Sequence, residues 1–343
     1  MQDSDIVIAK EGALGRITLN RPKALNALTH AMILAMTAAL KAWAQDDAIA
    51  AVLIDAAPGR AFCAGGDIRA LTMSGRARDG KAEQFFADEY RLNLAIHRFP
   101  KPYVALLHGL TMGGGAGISI HGRYRVACEN TVFSMPETAI GLFPDIGASF
   151  FLNRMPGKTG LYAALAGARL SGAEMVYAGL ATHHIPAAHF GDAVARLAAG
   201  EEAARMLSSL HREAGPCKLA GERAAIGRCF AAPTVEAIFA ALGNEGAWGG
   251  QVRAMLEKCS PTSLKLTFAL MQRTRGLPLE SCLAMDYRLA LRALEGNDFY
   301  EGVRAALIDK DQNPSWSPGA LSAVTEADIA GYFATLGARE WKA

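Results

Sequence analysis

Residues 108–147 read HGLTMGGGAGISIHGRYRVACENTVFSMPETAIGLFPDIG. The strand-like segment 103–107 leads into them, and the run Gly113-Gly114-Gly115-Ala116-Gly117 opens an apolar stretch, which places bare backbone N–H groups at the start of a helix. Such groups hold developing negative charge. Two further strand-like runs, 125–127 and 131–133, follow. Glu137 and Asp145 then stand in a segment broken by Pro136, Gly141, Pro144 and Gly147, too interrupted for a helix, so the two acids are expected on a fixed loop. An oxyanion-stabilising backbone followed by two acids points to acyl chemistry.

Outward from this stretch, the N-terminal half alternates strand and helix signals. Residues 6–8, 16–19 and 52–54 read as strands, and a helix is predicted over about 29–45, with Ile33, Met36, Leu40 and Trp43 on one face. Further helices are expected near 82–98 and 115–121. The strand-strand-helix rhythm predicts an α/β fold. Past Leu170 the strand signals fade and helix starts become the punctuation: Ser171 with Glu174, Ser260 before Pro261, and Thr325 with Asp328. Helices are predicted over about 172–179, 188–199, 235–242, 246–258, 261–274 and 279–295. The Ala/Gly-rich stretch near 195–204 is the one plausible seam, giving an expected division into a catalytic core, 1–200, and a helical region, 201–343.

Composition narrows the function classes. Of 343 residues, 51% are hydrophobic and 20% charged, enough for a large core, and 35 basic against 33 acidic side chains leave a formal net charge of +2. No basic run tracks a nucleic-acid backbone, so nucleic acid is not an expected partner. No apolar stretch reaches spanning length, and the start Met1-Gln2-Asp3-Ser4-Asp5 is acidic and polar, so the expectation is a soluble, cytoplasmic protein with no membrane association. Six cysteines without close pairing fit reduced thiols.

Several motifs fail on inspection. Gly113-x-Gly115 lacks the third glycine of a dinucleotide fingerprint because Ile118 stands there, Gly157-Lys158-Thr159 has Leu152 where a phosphate loop needs glycine, and no serine sits in a nucleophile elbow. His183-His184 and the cysteines lack metal-ligand spacing, so no metal is expected.

Three motifs, Asn20-Arg21-Pro22-Lys23-Ala24-Leu25-Asn26-Ala27-Leu28, Ala61-Phe62-Cys63-Ala64-Gly65-Gly66-Asp67-Ile68 and 112–117, together resemble the enoyl-CoA hydratase/isomerase (crotonase) superfamily. The resemblance implies a spiral of strand-strand-helix repeats, an acyl-CoA substrate, and an oxyanion hole made by the N–H groups of Gly66 and Gly114. Within the superfamily the details look like the 3-hydroxyisobutyryl-CoA hydrolase subfamily. Where hydratases carry a first catalytic glutamate, three residues beyond the oxyanion glycine, this chain has Gly117. The second acid remains as Glu137, and Asp145 is added where hydratases usually have glycine. Segments 258–265 and 298–311 also look like that subfamily.

The resemblance implies Glu137 as the catalytic carboxylate, either nucleophile or general base, with Asp145 orienting water or the substrate hydroxyl and Glu89 contacting the substrate. Arg21, Lys23 and Arg60 are weaker candidates for CoA phosphates. The expected reaction is hydrolysis of a short branched 3-hydroxyacyl-CoA, 3-hydroxyisobutyryl-CoA of valine breakdown being the first choice. CoA is part of the substrate and no cofactor is expected. The alternatives are a hydratase or isomerase of the same fold, or a non-catalytic acyl-CoA-binding protein. A homo-oligomer is compatible with the resemblance, since related folds often assemble.

Overall fold

The computed structural model describes residues 4–343 and opens with an antiparallel hairpin, β1 (Ile6–Glu11) and β2 (Leu14–Leu19). The helix His30–Ala44 follows. The Thr29 hydroxyl caps it by accepting the Met32 N–H at 3.3 Å, and the predicted stripe of Ile33, Met36, Leu40 and Trp43 is buried.

Eight more strands complete two sheets: β3 (Ala51–Ala56), β4 (Ala61–Cys63), β5 (Tyr103–Leu107), β6 (Leu110–Met112), β7 (Tyr124–Ala127), β8 (Val132–Ser134), β9 (Leu170–Ser171) and β10 (His183–His184). One sheet has the order β1-β2-β3-β5-β7-β10 and the other β4-β6-β8-β9. From β3 to β8, consecutive strands go alternately to the first and the second sheet, and pairing within each sheet is parallel over this stretch. Each turn of the chain thus lays down one strand of each sheet, which is the spiral the resemblance implied. β3 and β5 are almost wholly buried, as parallel strands covered on both faces must be. The sequence reading missed β4 and β6, because three residues carry no measurable alternation. It also missed β9 and β10, which lie beyond Leu170 and are two residues each.

The chain forms two compact units, each built from three separate stretches. The first comprises 1–67, 88–134 and 169–220 and holds both sheets. Its apolar core packs Leu53, Val104, Leu106 and Val126 from the sheet against Leu197, Met206, Leu207 and Leu210, from the helices Phe190–Ala198 and Ala203–Leu210. The second comprises 68–87, 135–168 and 221–343 and is helical. Its helices Val235–Leu242, Gly246–Leu256, Pro261–Arg273 and Leu279–Glu295 lie within about a residue or two of the predicted spans. The Ser171 and Thr325 capping boxes both form, and Ser260 caps its helix with Pro261 in the first turn. Several helices had no sequence signal strong enough to be read, among them Ile68–Ala77, Thr159–Ala166 and Lys218–Phe230.

Candidate active site

In the first unit the glycine run behaves as its sequence requires. Gly113 sits at φ 47°, ψ −123°, a conformation closed to residues with a side chain, and turns β6 sharply into the buried helix Gly114–Ile120. Gly114 is the first residue of that helix, so its N–H has no carbonyl one turn back to bond. Gly66 bridges to Leu28 through its neighbours: Leu28 donates to the Gly65 carbonyl at 2.8 Å and Asp67 donates to the Leu28 carbonyl at 2.9 Å, an arrangement that leaves the Gly66 N–H out of the ladder.

The two glycines and Glu89 are brought together. A Cβ on Gly114 would stand 2.5 Å from a carboxylate oxygen of Glu89 and 3.3 Å from the Gly66 nitrogen. Glycine is needed here for close approach. Glu89 lies on the inner face of the Lys81–His97 helix and is only 2% exposed, so it is not an acid on a wet helix face. Its charge adds to the effect of burial in pushing the Cys63 thiol up to about 12.

The second unit holds the acids. Glu137 begins the short 3-10 helix Glu137–Ile140, which Gly141 ends in a left-handed conformation. Its carboxyl is buried, and among the described residues Oε2 has no hydrogen-bond partner. Burial first, and the nearby charge of Asp145 second, hold this carboxyl well above the usual carboxylate range. A buried acid left with an open oxygen and raised basicity is suited to attack or to remove a proton.

Asp145 is likewise buried, and the chain after it turns through Ile146 and Gly147 at φ 54° and 72°. The Gly147 N–H is accepted by Oδ2 of Asp286 at 2.8 Å. Asp286 is fully buried on the Leu279–Glu295 helix, and burial together with Asp145 raises its carboxyl too. The sequence reading passed over Asp286. A signal existed: it falls one turn after Cys282 and Leu283, on the buried stripe of an amphipathic helix, where a lone acid needs a reason.

The turn carrying Glu137 is braced from behind. The Ser260 N–H donates to the Thr138 carbonyl at 3.1 Å, and the Thr138 hydroxyl donates to the Leu165 carbonyl at 3.0 Å. Asp298 then joins this bracing to the C-terminal segment, its two oxygens accepting the Ser260 hydroxyl at 2.6 Å and the Ser317 N–H at 2.9 Å. Gly141 and Gly302 let the backbones meet, since a Cβ on either would fall within 2.3 Å of the Asp298 or Ile140 backbone. Arg21 is committed to the fold, pairing with Asp67 at 3.1 Å and donating to the Ala27 carbonyl, while Lys23 and Arg60 are exposed. Among the described residues no group of three His, Cys, Asp or Glu side chains is arranged to hold a metal ion.

The enoyl-CoA hydratase/isomerase family model matches residues 14–333. A 3-hydroxyisobutyryl-CoA hydrolase, mitochondrial, of Xenopus tropicalis is 46% identical over 100% of this chain and 92% of its own length. The human protein of the same name is 44% identical over 98% of this chain and 90% of its own. A crystal structure described as a carnitinyl-CoA dehydratase from Mycobacterium thermoresistibile superposes with a TM-score of 0.95 at 40% identity, covering 99% of this chain and 98% of that one. The names of the relatives correct the cytoplasmic placement expected from the sequence, since they point to mitochondria. Compartments are addressed by receptor-read signals that folding physics does not reveal. The chain belongs to the enoyl-CoA hydratase/isomerase (crotonase) family, in its 3-hydroxyisobutyryl-CoA hydrolase branch.

Proposed function

We propose that the protein hydrolyses 3-hydroxyisobutyryl-CoA to 3-hydroxyisobutyrate and CoA, a step of valine breakdown. The observation that carries this reading is the buried Glu137 carboxyl in one short loop with Asp145, in a chain that has Gly117 where a hydratase carries its other acid. The N–H groups of Gly66 and Gly114 receive the thioester oxygen. That oxygen gains negative charge as the carbonyl carbon is attacked, so fixed donors stabilise the transition state more than the ground state.

Glu137 serves in one of two ways. As nucleophile its carboxylate bonds to the acyl carbon, the carbon–sulfur bond breaks, CoA leaves as thiolate and takes a proton, and water then opens the acyl anhydride. As general base it removes a proton from the water that attacks the acyl carbon directly. Asp145 orients the water or the 3-hydroxyl, and Glu89 accepts a hydrogen bond from the substrate. The reaction needs neither a metal nor a redox cofactor, and CoA enters only as part of the substrate. Membrane and nucleic acid have no place in the proposal, and a homo-oligomer is compatible with it.

A free-thiol assay over a series of acyl-CoAs, run beside a crotonyl-CoA hydration assay, tests the reading. Thiol release fastest with 3-hydroxyisobutyryl-CoA supports it. Hydration without thiol release would replace it with the lyase chemistry that the description of the Mycobacterium structure names. In 18O water, label found in the Glu137 side chain after turnover marks the anhydride, water having attacked its glutamyl carbon.

A further inference from the structure

We infer that Asp286 is a positioning residue for this reaction, a third buried carboxyl that clamps the left-handed turn after Asp145 and acts on the chemistry through Asp145. The inference rests on the reading of Glu137 and Asp145 as the reacting acids. Its first support is geometric. Ile146 is a β-branched residue at φ 54°, a conformation it adopts only under constraint, and the next amide, that of Gly147, donates to Asp286 at 2.8 Å. The Ala148 N–H closes back on the Asp145 carbonyl at 2.8 Å, so the segment from Asp145 to Ala148 is held at both ends.

The second support is the other oxygen. Oδ1 of Asp286 is buried and without a hydrogen-bond partner among the described residues, on a helix whose other buried residues include Leu283, Leu289 and Ala290. A carboxyl kept only to hold one amide would be replaceable by an uncharged acceptor at lower cost in desolvation. The elements packed on the Leu279–Glu295 helix are Ile68–Ala77, Ala148–Leu152, Asp298–Val303 and Glu326–Tyr332. Among the described residues the charge that acts on Asp286 is that of Asp145, from the loop before Ala148, while Cys282, one turn back on the same helix, feels Asp286 and Arg154 with opposite signs. Beside burial, the charge of Asp145 thus raises both Glu137 and Asp286.

Two variants separate the clamp from the charge. Asp286→Asn keeps an oxygen for the Gly147 amide but cannot ionise. Burial and the charge of Asp145 favour the neutral form of the Asp286 carboxyl, which the amide resembles, so kcat should stay within about threefold of wild type. Asp286→Ala releases the turn as well, and kcat per folded enzyme should fall about tenfold or more, with KM changed less than about threefold. An Ala variant with wild-type kcat per folded enzyme overturns the inference, as does an Asn variant whose kcat falls as far as that of the Ala variant. Should the Ala protein not fold, Asp286→Ser, whose short side chain stops short of the Gly147 amide, takes its place, and wild-type kcat there overturns the inference. Glu137→Gln is measured beside them: wild-type hydrolysis there removes the parent reading, whereas an inactive Glu137→Gln with wild-type kcat in Asp286→Ala removes only this inference.

Discussion

Glu137 concentrates two opposing demands in one side chain. Its burial raises the basicity that the reaction uses, and the same burial penalises the carboxylate form at neutral pH. Replacing it by Gln keeps the shape and removes the charge, so turnover is expected to fall by about 10²–10⁴-fold while CoA binding persists. The stability effect has the opposite direction. A carboxyl raised on folding binds its proton more tightly in the folded state, so its contribution is fully present below the unfolded value and is lost as pH rises through the folded one. Glu137→Gln should accordingly melt above wild type at about pH 8, and the gap should close towards about pH 4, where the wild-type carboxyl is protonated in both states. Thermal melts at the two pH values, beside steady-state kinetics, check both halves. A variant that melts lower at both would mean that Glu137 supports the fold.

At the level of elements, a four-residue 3-10 turn has little stability of its own, and the Glu137 turn is held by the ends of longer helices. Ser260 caps Pro261–Arg273 and also donates to Asp298, which in turn receives the Ser317 amide. Asp298→Ala would strand the Ser260 hydroxyl in the interior and release the Ser317 amide towards solvent, at a cost of about 1–3 kcal/mol. Urea unfolding should register that loss. Because the Ser260 amide also holds the Thr138 carbonyl, turnover should drop further than the folded fraction accounts for. An unchanged kcat per folded enzyme would show that Asp298 braces the helices without reaching Glu137. Ser260-Pro261 was legible in the sequence as a helix start, and 298–311 as a segment of the hydrolase subfamily. Their connection was not, because a cap is a local signal and a bond across 38 residues is not.

For the whole molecule, the order of residues along the chain differs from their grouping in space. The helical unit takes 68–87 and 135–168 from the first half of the sequence and 221–343 from the second. A fragment ending at residue 200 would keep Glu137 and Asp145 but lose Asp286, Ser260 and Asp298, and would expose apolar surface that the later helices cover. Such a fragment should lack a cooperative urea transition and the near-ultraviolet signal of fixed aromatics. A sharp transition in the fragment would show that 1–200 folds by itself.

Local signals were enough for much of this protein. The period of Ile33, Met36, Leu40 and Trp43, the caps at Ser171, Ser260 and Thr325, and the apolar run at 103–107 each report a structure completed within a few residues, so they can be read without knowing the fold. The motifs around Gly66, Gly114 and Glu137 pointed to acyl-CoA chemistry through their resemblance to the crotonase superfamily. Tertiary structure decided the rest. Strands of two or three residues exist only because a neighbouring strand pairs with them, and Glu89 is buried against Gly114 because the fold brings 89 and 114 together, with nothing in its helix pattern requiring it. Asp286 acquires its meaning from an amide 139 positions earlier. Burial and like-charge proximity are properties of a place, and the chain defines that place only once it has folded.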